Sequence, residues 1–498
     1  MGEYKTPGVY IKEKNAFGNS IVEAETAIPV FIGLTKTAQD GNTSLLNKPV
    51  RISSMTEYYN YFGGAPTPEF SVSVTNENKD DTDISLYVYD KDKESGLMAT
   101  FSGNHYTLYY HMTLFFANGG GTCYIVSIGD YQADPPAQSS VENILSELKK
   151  VQDITMLVIP EAVYNKAGYQ NLYTGMLAHC NKYNRFAIFD IPNGESIDDF
   201  RSKIGSNFLA YGAAYYPWLE TSVLSDNDID GEILTWKKAP GLEALDKNEN
   251  MKKYFDECFT QITTQKNGDK VLDDKAVKQV KNDLHNALIQ NWPLYKLLAK
   301  KVKDYLNLLP PSAAMAGIYT MVDNTRGVWK APANVSVNYV NKPKENIDNA
   351  MQADLNMPMN GKAINAIRTF PGEGIKVWGA RTLDGNSQDW RYINVRRTIT
   401  FLEQSVKNAA RAYVFEPNDA NTWINMKCMI ENFLRSVWKR GGLAGASPED
   451  AFEVHVGLGD TMTPEDILEG IMRITVLVAV SRPAEFIEIT FQQQMQKS

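Results

Sequence analysis

Three polar residues in the middle of the chain stand where an open parallel sheet would carry its chemistry. Glu161 and Asp190 close two short apolar runs, and Asn193 follows the second run. In open parallel sheets, ligands bind at the carboxyl ends of the strands. An α/β-fold hydrolase or transferase with an unrecognised site is therefore one hypothesis for this chain.

The sequence motifs that would support catalysis or nucleotide binding are absent. There is no GxSxG or HExxH motif, and Gly119-Gly120-Gly121 lacks the Lys-Ser/Thr of a P-loop. The histidines form no ligand cluster in the sequence. His179 adjoins Cys180, but adjacent residues on a helix point in different directions and are poorly placed to act as a base and a nucleophile. The sequence predicts no enzyme activity and no cofactor.

A short acidic segment resembles the first half of an EF-hand calcium loop. Asp226-Asn227-Asp228-Ile229-Asp230-Gly231 has the required spacing. The twelfth position of such a loop is a bidentate glutamate, whereas this chain has Lys237, which would repel the ion. Turns rich in Asp and Asn also arise commonly in loops, so we expect no metal here.

Composition excludes several classes of partner. The chain has 498 residues, with 50 Lys and Arg against 59 Asp and Glu, and a net charge of −9. That balance argues against nucleic-acid binding, which needs a basic face. Four cysteines without a CxxC pair indicate reduced thiols. The sequence shows no signal peptide and no apolar run of about 20 residues, so we expect cytoplasmic synthesis and no membrane insertion.

The segment from Val141 to Leu219 alternates predicted helices and strands. Such alternation is typical of buried parallel strands joined by helical crossovers. The predicted strands are 154–160, 185–190 and 208–216, and the predicted helices are 141–148, 169–183 and 198–204. Two charged or polar segments, 71–104 and 221–306, are predicted insertions that face solvent. In the second, Pro293 is expected to begin a helix.

Two amphipathic helices are predicted between Asn394 and Trp438. Apolar residues recur at steps of three and four, which places each set on one helix face. These residues are Ile399, Leu402, Val406, Ala409 and Tyr413 in the first helix, and Trp423, Met426, Ile430, Phe433 and Val437 in the second. Asn418 or Asp419 is a candidate N-cap of the second helix, and Gly441-Gly442 is expected to end it.

A charged stripe lies opposite the apolar face of the second helix. It consists of Lys427, Glu431, Arg435 and Lys439. Such a stripe is usually a solvated face. The other interpretation is a docking stripe for the acidic surface of a partner.

Both ends of the chain have the pattern of extended strands. Residues 4–13, 474–480 and 481–491 carry β-branched and aromatic residues in near-alternation. Each end has one proline, which suits an edge strand. A terminal strand with a free edge can pair with its own sheet or with the sheet of another subunit.

Segments spread over nearly the whole chain together resemble one family, the contractile tail sheath proteins of myophages and related contractile injection systems. The two insertions depart from the family pattern. The matching segments are Thr6–Tyr10, Phe62–Gly64, Phe115–Gly120, Tyr215–Trp218, Pro310–Ser312, Asp323–Asn334, Trp378–Thr382, Asn394–Arg397, Phe415–Asn418 and Pro483–Phe486.

The resemblance implies a structural subunit that polymerises as stacked hexameric rings around an inner tube and contracts without a nucleotide. Implied partners are other copies of the chain, the tube protein, and baseplate and terminal cap proteins of a virion or released particle. The terminal arms would join neighbouring subunits by strand exchange. The arm residues are Val9, Tyr10, Ile11, Lys12, Glu13, Phe486, Ile487, Glu488, Ile489, Thr490 and Phe491. Candidate tube-facing residues are Lys427, Arg435, Lys439 and Arg440.

The predicted fold class is α/β, or α+β overall, in several domains. A parallel α/β outer domain would accompany an inner domain of two amphipathic helices on a sheet, with extended arms at both termini. The predicted boundaries are 1–20 for the N-terminal arm, 21–130 for a first segment, 131–347 for the outer domain, 348–480 for the inner domain and 481–498 for the C-terminal arm.

Overall fold

A computed structural model describes residues 21–489 except residues 93, 137, 246 and 269. The chain divides into two compact units: residues 25–396, called the large unit, and residues 397–498 with 1–24, called the terminal unit. The predicted inner domain begins at residue 348, whereas the contacts of residues 348–396 place this segment in the large unit.

The strands of the described chain are mostly short. They are β1 Pro29–Gly33, β2 Gln39–Asp40, β3 Thr43–Ser44, β4 Val50–Ile52, β5 Glu69–Thr75, β6 Ser85–Asp90, β7 Ser95–Ser102, β8 Cys123–Ser127, β9 Met156–Val158, β10 Phe186–Asp190, β11 Gly212–Tyr216, β12 Leu219–Thr221, β13 Leu234–Trp236, β14 Lys266–Asn267, β15 Lys270–Val271, β16 Leu308–Leu309, β17 Val340–Pro343, β18 Asn365–Phe370, β19 Gly374–Trp378, β20 Phe452–His455 and β21 Thr475–Val478.

The α-helices include several long amphipathic ones. They are α1 Met55–Phe62, α2 Leu108–Ala117, α3 Gln138–Leu148, α4 Tyr169–Tyr183, α5 Ile197–Lys203, α6 Glu249–Thr264, α7 Asp274–Asn291, α8 Pro293–Leu306, α9 Ser312–Arg326, α10 Asn349–Asn356, α11 Ile393–Ala410, α12 Ala420–Lys439, α13 Pro448–Ala451 and α14 Pro464–Leu468.

An eight-stranded sheet forms the core of the large unit, in the order β19-β18-β11-β10-β9-β1-β8-β4. The strands from β18 to β8 run parallel, and β19 and β4 are antiparallel at the edges. Apolar side chains pack on both faces of this sheet, in two separate clusters. The prediction of a fold that mixes α-helices and β-sheets is therefore confirmed.

The predicted crossover helices and strands between residues 138 and 216 form, with one correction. The predicted strand over 208–216 begins only at Gly212, because Phe208 has a positive φ of 59° and residues 209–211 make a short 3-10 turn. The sequence also missed β1, whose five residues are all buried in the middle of the sheet. This short apolar run lies more than 100 residues before β9, β10 and β11, so it stands outside the alternating pattern that predicted those strands.

The two predicted insertions pack against each other, and we call their shared structure the paired module. Strands β5, β6 and β7 form one sheet with β13, which pairs in parallel with β5. Helices α6, α7 and α8 cover this sheet and bury Phe255, Leu288 and Tyr295 in its core. The two segments were predicted to be solvent-facing insertions, whereas both contribute buried side chains to one apolar core, with the larger share from 221–306.

The terminal unit contains the two predicted amphipathic helices and a two-stranded sheet. Helices α11 and α12 pack through Phe401 and Phe433, whose ring centroids lie 5.9 Å apart. Asp419 caps α12 by accepting hydrogen bonds from the backbone N–H groups of Asn421 and Thr422, so the N-cap prediction is confirmed. Gly441 follows the helix with a φ of +85°. A backbone of this hand favours glycine and ends the helix.

Candidate assembly interface

Strand β21 is an edge strand with a free side. It pairs antiparallel with β20, placing Phe452 opposite Val478 and Val454 opposite Val476. At the end of this ladder, the backbone N–H of Ala479 donates to the carbonyl of Ala451 at 2.8 Å. Backbone groups alternate sides along an antiparallel strand, so Val476 and Val478 direct theirs to the opposite edge. No strand pairs with that edge within residues 397–489.

The side chains of β21 also show that a neighbour is missing. Phe452 and Val454 of β20 are buried on the inner face of the sheet. Their partners Val478 and Val476 share that face but are only half-buried, because β21 has a neighbour on one side only. A strand added at the free edge would cover these valines and satisfy their backbone groups.

The segment after β21 carries large apolar side chains without packing partners. Residues 481–489 form no regular structure. The side chains of Phe486, Ile487 and Ile489 are 71%, 77% and 67% exposed, and Glu488 is exposed as well. Of the predicted arm residues, Val9 to Glu13, Thr490 and Phe491 lie outside the described residues. The assignment of both arms to inter-subunit strands stays a prediction.

The four predicted tube-facing cations lie in two kinds of environment. Lys427 is half-buried and lies 3.8 Å from the carboxylate of Glu431, one turn away. Arg440 forms an ion pair with Glu23. Arg435 and Lys439 are exposed. These last two present the charge most available to another molecule.

The acidic residues that raised the enzyme hypothesis serve as helix caps. The carboxylate of Glu161 accepts hydrogen bonds from the backbone N–H groups of Leu34 and Thr107, both at 2.7 Å, and of Leu108 at 3.1 Å. Burial raises the pKa of this carboxyl to about 7. Glu161 thus fills the N-terminus of α2 at the carboxyl edge of the sheet, where an anionic ligand would otherwise bind.

Asp190 plays the same part for a second helix. Its buried carboxylate accepts a hydrogen bond from the backbone N–H of Ser312 at 2.8 Å, at the start of α9. Burial raises the pKa of this carboxyl to about 7. The side-chain oxygen of Asn193 accepts from the ammonium group of Lys344. Glu161, Asp190 and Asn193 are thus each bonded to a different partner within the fold.

The other candidate chemical groups are also engaged within the fold. His179 hydrogen-bonds Arg185 at 2.8 Å, and burial lowers the pKa of its imidazole to about 3. Cys180 is fully buried, and burial raises the pKa of its thiol. Neither group can supply a nucleophile and base to a substrate in solvent.

The EF-hand-like segment forms a 3-10 turn at Asp226–Asp228. Asp226 pairs with Lys303 at 2.5 Å, and Asp230 accepts from the backbone N–H of Glu232 at 2.9 Å. Over the described part of the chain, no cluster of three or more His, Cys, Asp or Glu residues is arranged to hold a metal ion. Among the described helices, none has the length and apolar character needed to cross a membrane.

Comparison with known proteins gives a consistent result. Residues 386–494 match the family model described as phage tail sheath C-terminal domain. The tail sheath protein of Vibrio phage KVP40 is 23% identical over 201 residues, which are 40% of this chain and 28% of that protein. The chain thus aligns with little more than a quarter of this curated relative.

Two solved structures match along nearly the whole chain. One is the contracted sheath complex of the PVC extracellular contractile injection system, with 28% identity, a TM-score of 0.60 and 99% of both chains covered. The other is the contracted helical sheath of the anti-feeding prophage, with 27% identity, a TM-score of 0.62 and coverage of 99% of this chain and 100% of that one. These matches support the placement of the chain in the contractile tail sheath family. Because this is a family of structural proteins, the prediction that the chain is not an enzyme is confirmed.

The resemblance read from the sequence segments is therefore correct. The sequence predicted the strand that becomes β21 and the option of a free edge, but it did not predict that this edge stays open among the described residues, or that Val414 and Phe415 are exposed in the turn before α12. Whether a strand edge is occupied depends on distant segments, so no local pattern marks it. The sequence showed this turn as a connection between two helices and as one of the segments that resemble the family, and neither observation predicts exposed apolar side chains.

Proposed function

We propose that this chain is the structural subunit of a contractile sheath in a phage tail or a phage-like injection particle. Copies would polymerise as stacked hexameric rings around an inner tube, and contraction would drive the tube through a target envelope. The observation that carries this proposal is the unoccupied edge of β21 beside an unpacked apolar segment, in a chain of the contractile sheath family.

The terminal arms are proposed to complete the β20–β21 sheet in trans. Val9–Glu13 of one copy and Phe486–Phe491 of another would add strands at its two edges. Strand addition supplies main-chain hydrogen bonds, and alternate side chains supply specificity. The exposed Phe486 and Ile487 would then be buried, which favours the assembled state by about 1.5–3 kcal/mol for each side chain.

Arms of this kind would keep subunits joined while the lattice rearranges. Contraction is then a rigid-body movement of subunits about their arms. The free energy would come from contacts formed as the lattice passes from a metastable extended state to the contracted one. No nucleotide is required, which agrees with acidic residues that cap helices instead of binding a substrate.

The inner tube is the second proposed partner, contacted by Lys427, Arg435, Lys439 and Arg440. Arg435 and Lys439 carry the main part of this proposal because they are exposed. An exposed ion pair contributes only about 0–1 kcal/mol, but a ring stack repeats it many times. Baseplate and terminal cap proteins would bind the two ends of the stack.

Deletion of the arms tests the proposed function. A chain lacking residues 486–498 keeps β20, β21, both amphipathic helices and the hydrogen bond from Ser481 to the carbonyl of Gly441, so we expect an unchanged melting temperature. Negative-stain microscopy should show striated tubes for the full chain and none for the deleted chain. Normal sheaths from the deleted chain would contradict strand exchange through this arm, and deletion of residues 1–20 gives the matching test for the other arm.

A further inference from the structure

A second sheet edge in the chain is closed by side chains. Strand β6 is the last strand of the four-stranded sheet in the paired module and pairs antiparallel with β7. Just before β6, the carbonyl of Ile84 accepts a hydrogen bond from the backbone N–H of Phe101 at 2.7 Å. Because backbone groups alternate sides along an antiparallel strand, Ser85, Tyr87 and Tyr89 direct theirs away from β7, to the outer edge of the sheet.

An ion pair occupies the middle of this outer edge. The backbone N–H of Tyr87 donates to a carboxylate oxygen of Asp81 at 2.7 Å, and the carbonyl of Tyr87 accepts from the ammonium group of Lys301 in α8 at 2.6 Å. The same ammonium group lies 2.8 Å from the Asp81 carboxylate. Asp81 and Lys301, called the edge-blocking pair, thus take both backbone groups that an added strand would use at Tyr87.

The turn that leads into β6 closes the same edge at Ser85. The backbone N–H of Thr82 donates to the carbonyl of Ser85 at 2.8 Å, and the backbone N–H of Ser85 donates to the hydroxyl of Thr82 at 3.0 Å. Two successive outward positions of β6 are therefore occupied by groups of the same chain. The outer edge of β21 differs, because no hydrogen bond within the described part of the chain reaches the outward backbone groups of Val476 and Val478.

The sequence of β6 explains why this edge has to be blocked. Residues 84–89 contain no charge, no proline and no glycine, and most of them are β-branched or aromatic. Segments of this type pair readily with strands of other chains, and native proteins protect such edges with charged groups. The side chains of Lys301 and Asp81 are 41% and 39% exposed, and an ion pair as exposed as this adds little to stability. Closure of the edge therefore accounts for the position of the pair better than stability does.

We infer that the edge-blocking pair keeps β6 from accepting the C-terminal arm of a second copy, so that strand addition is confined to the β20–β21 sheet. This inference rests on the proposed function, in which the arm is a strand donor. The arm carries the exposed apolar side chains of Phe486, Ile487 and Ile489, and an extended segment gains main-chain hydrogen bonds at any open sheet edge. A chain that assembles by strand addition therefore has to close an edge that would accept its arm at the wrong place.

The double variant D81A/K301A opens the edge without changing the net charge. We expect it to associate at a concentration about tenfold below that at which the wild-type chain associates, because both backbone groups of Tyr87 become available to an added strand. K252A/D256A is the matched control. It removes a Lys–Asp ion pair of the same module, but this pair lies within the single helix α6.

Sedimentation velocity of the dilute full-length chains measures association, and hydrogen–deuterium exchange locates it. Association of D81A/K301A but not of K252A/D256A, with slower exchange at residues 84–90 as protein concentration rises, supports the inference. A D81A/K301A chain that stays unassociated overturns it, and so does association without this protection. A melting temperature of D81A/K301A below that of K252A/D256A would assign the pair to stability and also overturn the inference.

The donor strand is tested by adding F486E/I487E to the D81A/K301A chain. These substitutions place charges on exposed side chains of the arm, so association through β6 should be lost. Association that persists would show that β6 pairs with β6 of another copy, and it would overturn the assignment to the arm. Electron microscopy of the wild-type chain tests the proposed function separately. If the wild-type chain forms no sheath, the proposed function fails. If it forms sheaths while D81A/K301A stays unassociated, only this inference fails.

Discussion

Replacing Val478 with proline removes one backbone donor from the free edge of β21 and leaves the intramolecular ladder intact. The register places Val478 opposite Phe452 at a position whose N–H points away from β20. A hydrogen bond contributes about 0.5–1.5 kcal/mol, and the proline ring also obstructs the incoming strand. The critical concentration for sheath formation should therefore rise about tenfold or more.

Two matched variants separate this effect from simple destabilisation. V478A removes side-chain packing but keeps the donor, so it should assemble much more readily than V478P. L477P places the proline one residue earlier, where the N–H points to β20, so it should lower the melting temperature of the unassembled chain. Sedimentation measures assembly, and thermal denaturation of dilute protein measures stability. Assembly of V478P at the wild-type concentration would refute the free-edge argument, as would a fall in its melting temperature equal to that of L477P.

Further variants test the tube contact, the buried carboxylate and the paired module. R435E/K439E should detach sheaths from tubes or cause premature contraction. K237E/K238E makes the same change of net charge on exposed lysines of the large unit and should have neither effect. An equal fraction of extended particles for both variants would contradict the proposed tube contact. Burial raises the folded-state pKa of Glu161 from 4.5 to about 7, so the folded chain binds this proton more tightly than the unfolded chain does. The stability that Glu161 contributes should therefore be lost as pH rises from about 4.5 to 7. Denaturant titrations should show a smaller loss of unfolding free energy over that range for E161Q, and an identical pH profile for both proteins would be inconsistent with this assignment. L288A should lower the unfolding free energy by about 2–5 kcal/mol. Deletion of residues 71–101 alone should expose the core of the paired module and increase the binding of a hydrophobic dye. A soluble deletion variant that binds no dye would show that the two segments do not share a core.

The helices of the terminal unit could be predicted because their pattern is local. Apolar residues at steps of three and four marked α11 and α12, and Asp419 marked the start of α12. The helix beginning at Pro293 was predicted for the same kind of reason and is α8. Each of these signals lies within a few residues of the feature that it specifies.

Features set by distant contacts could not be predicted in this way. Strand β13 pairs with β5 across more than 150 residues of chain, and the polar residues around Asp80 hide the apolar strands on either side of them. The role of Glu161 as a cap depends on Leu34 and Leu108, which belong to separate parts of the sequence. Phe415 has a left-handed backbone, a conformation in which glycine is usually found, so the sequence gives no indication of it.

The central claim is that strands from other copies complete the β20–β21 sheet. Electron microscopy of the sheath formed by the full chain, at a resolution that separates strands, tests it most directly. We predict a sheet in which β20 and β21 are flanked by strands from two other copies, with Phe486 and Ile487 buried. A two-stranded sheet with open edges, or one closed by the termini of the same chain, would contradict the proposal.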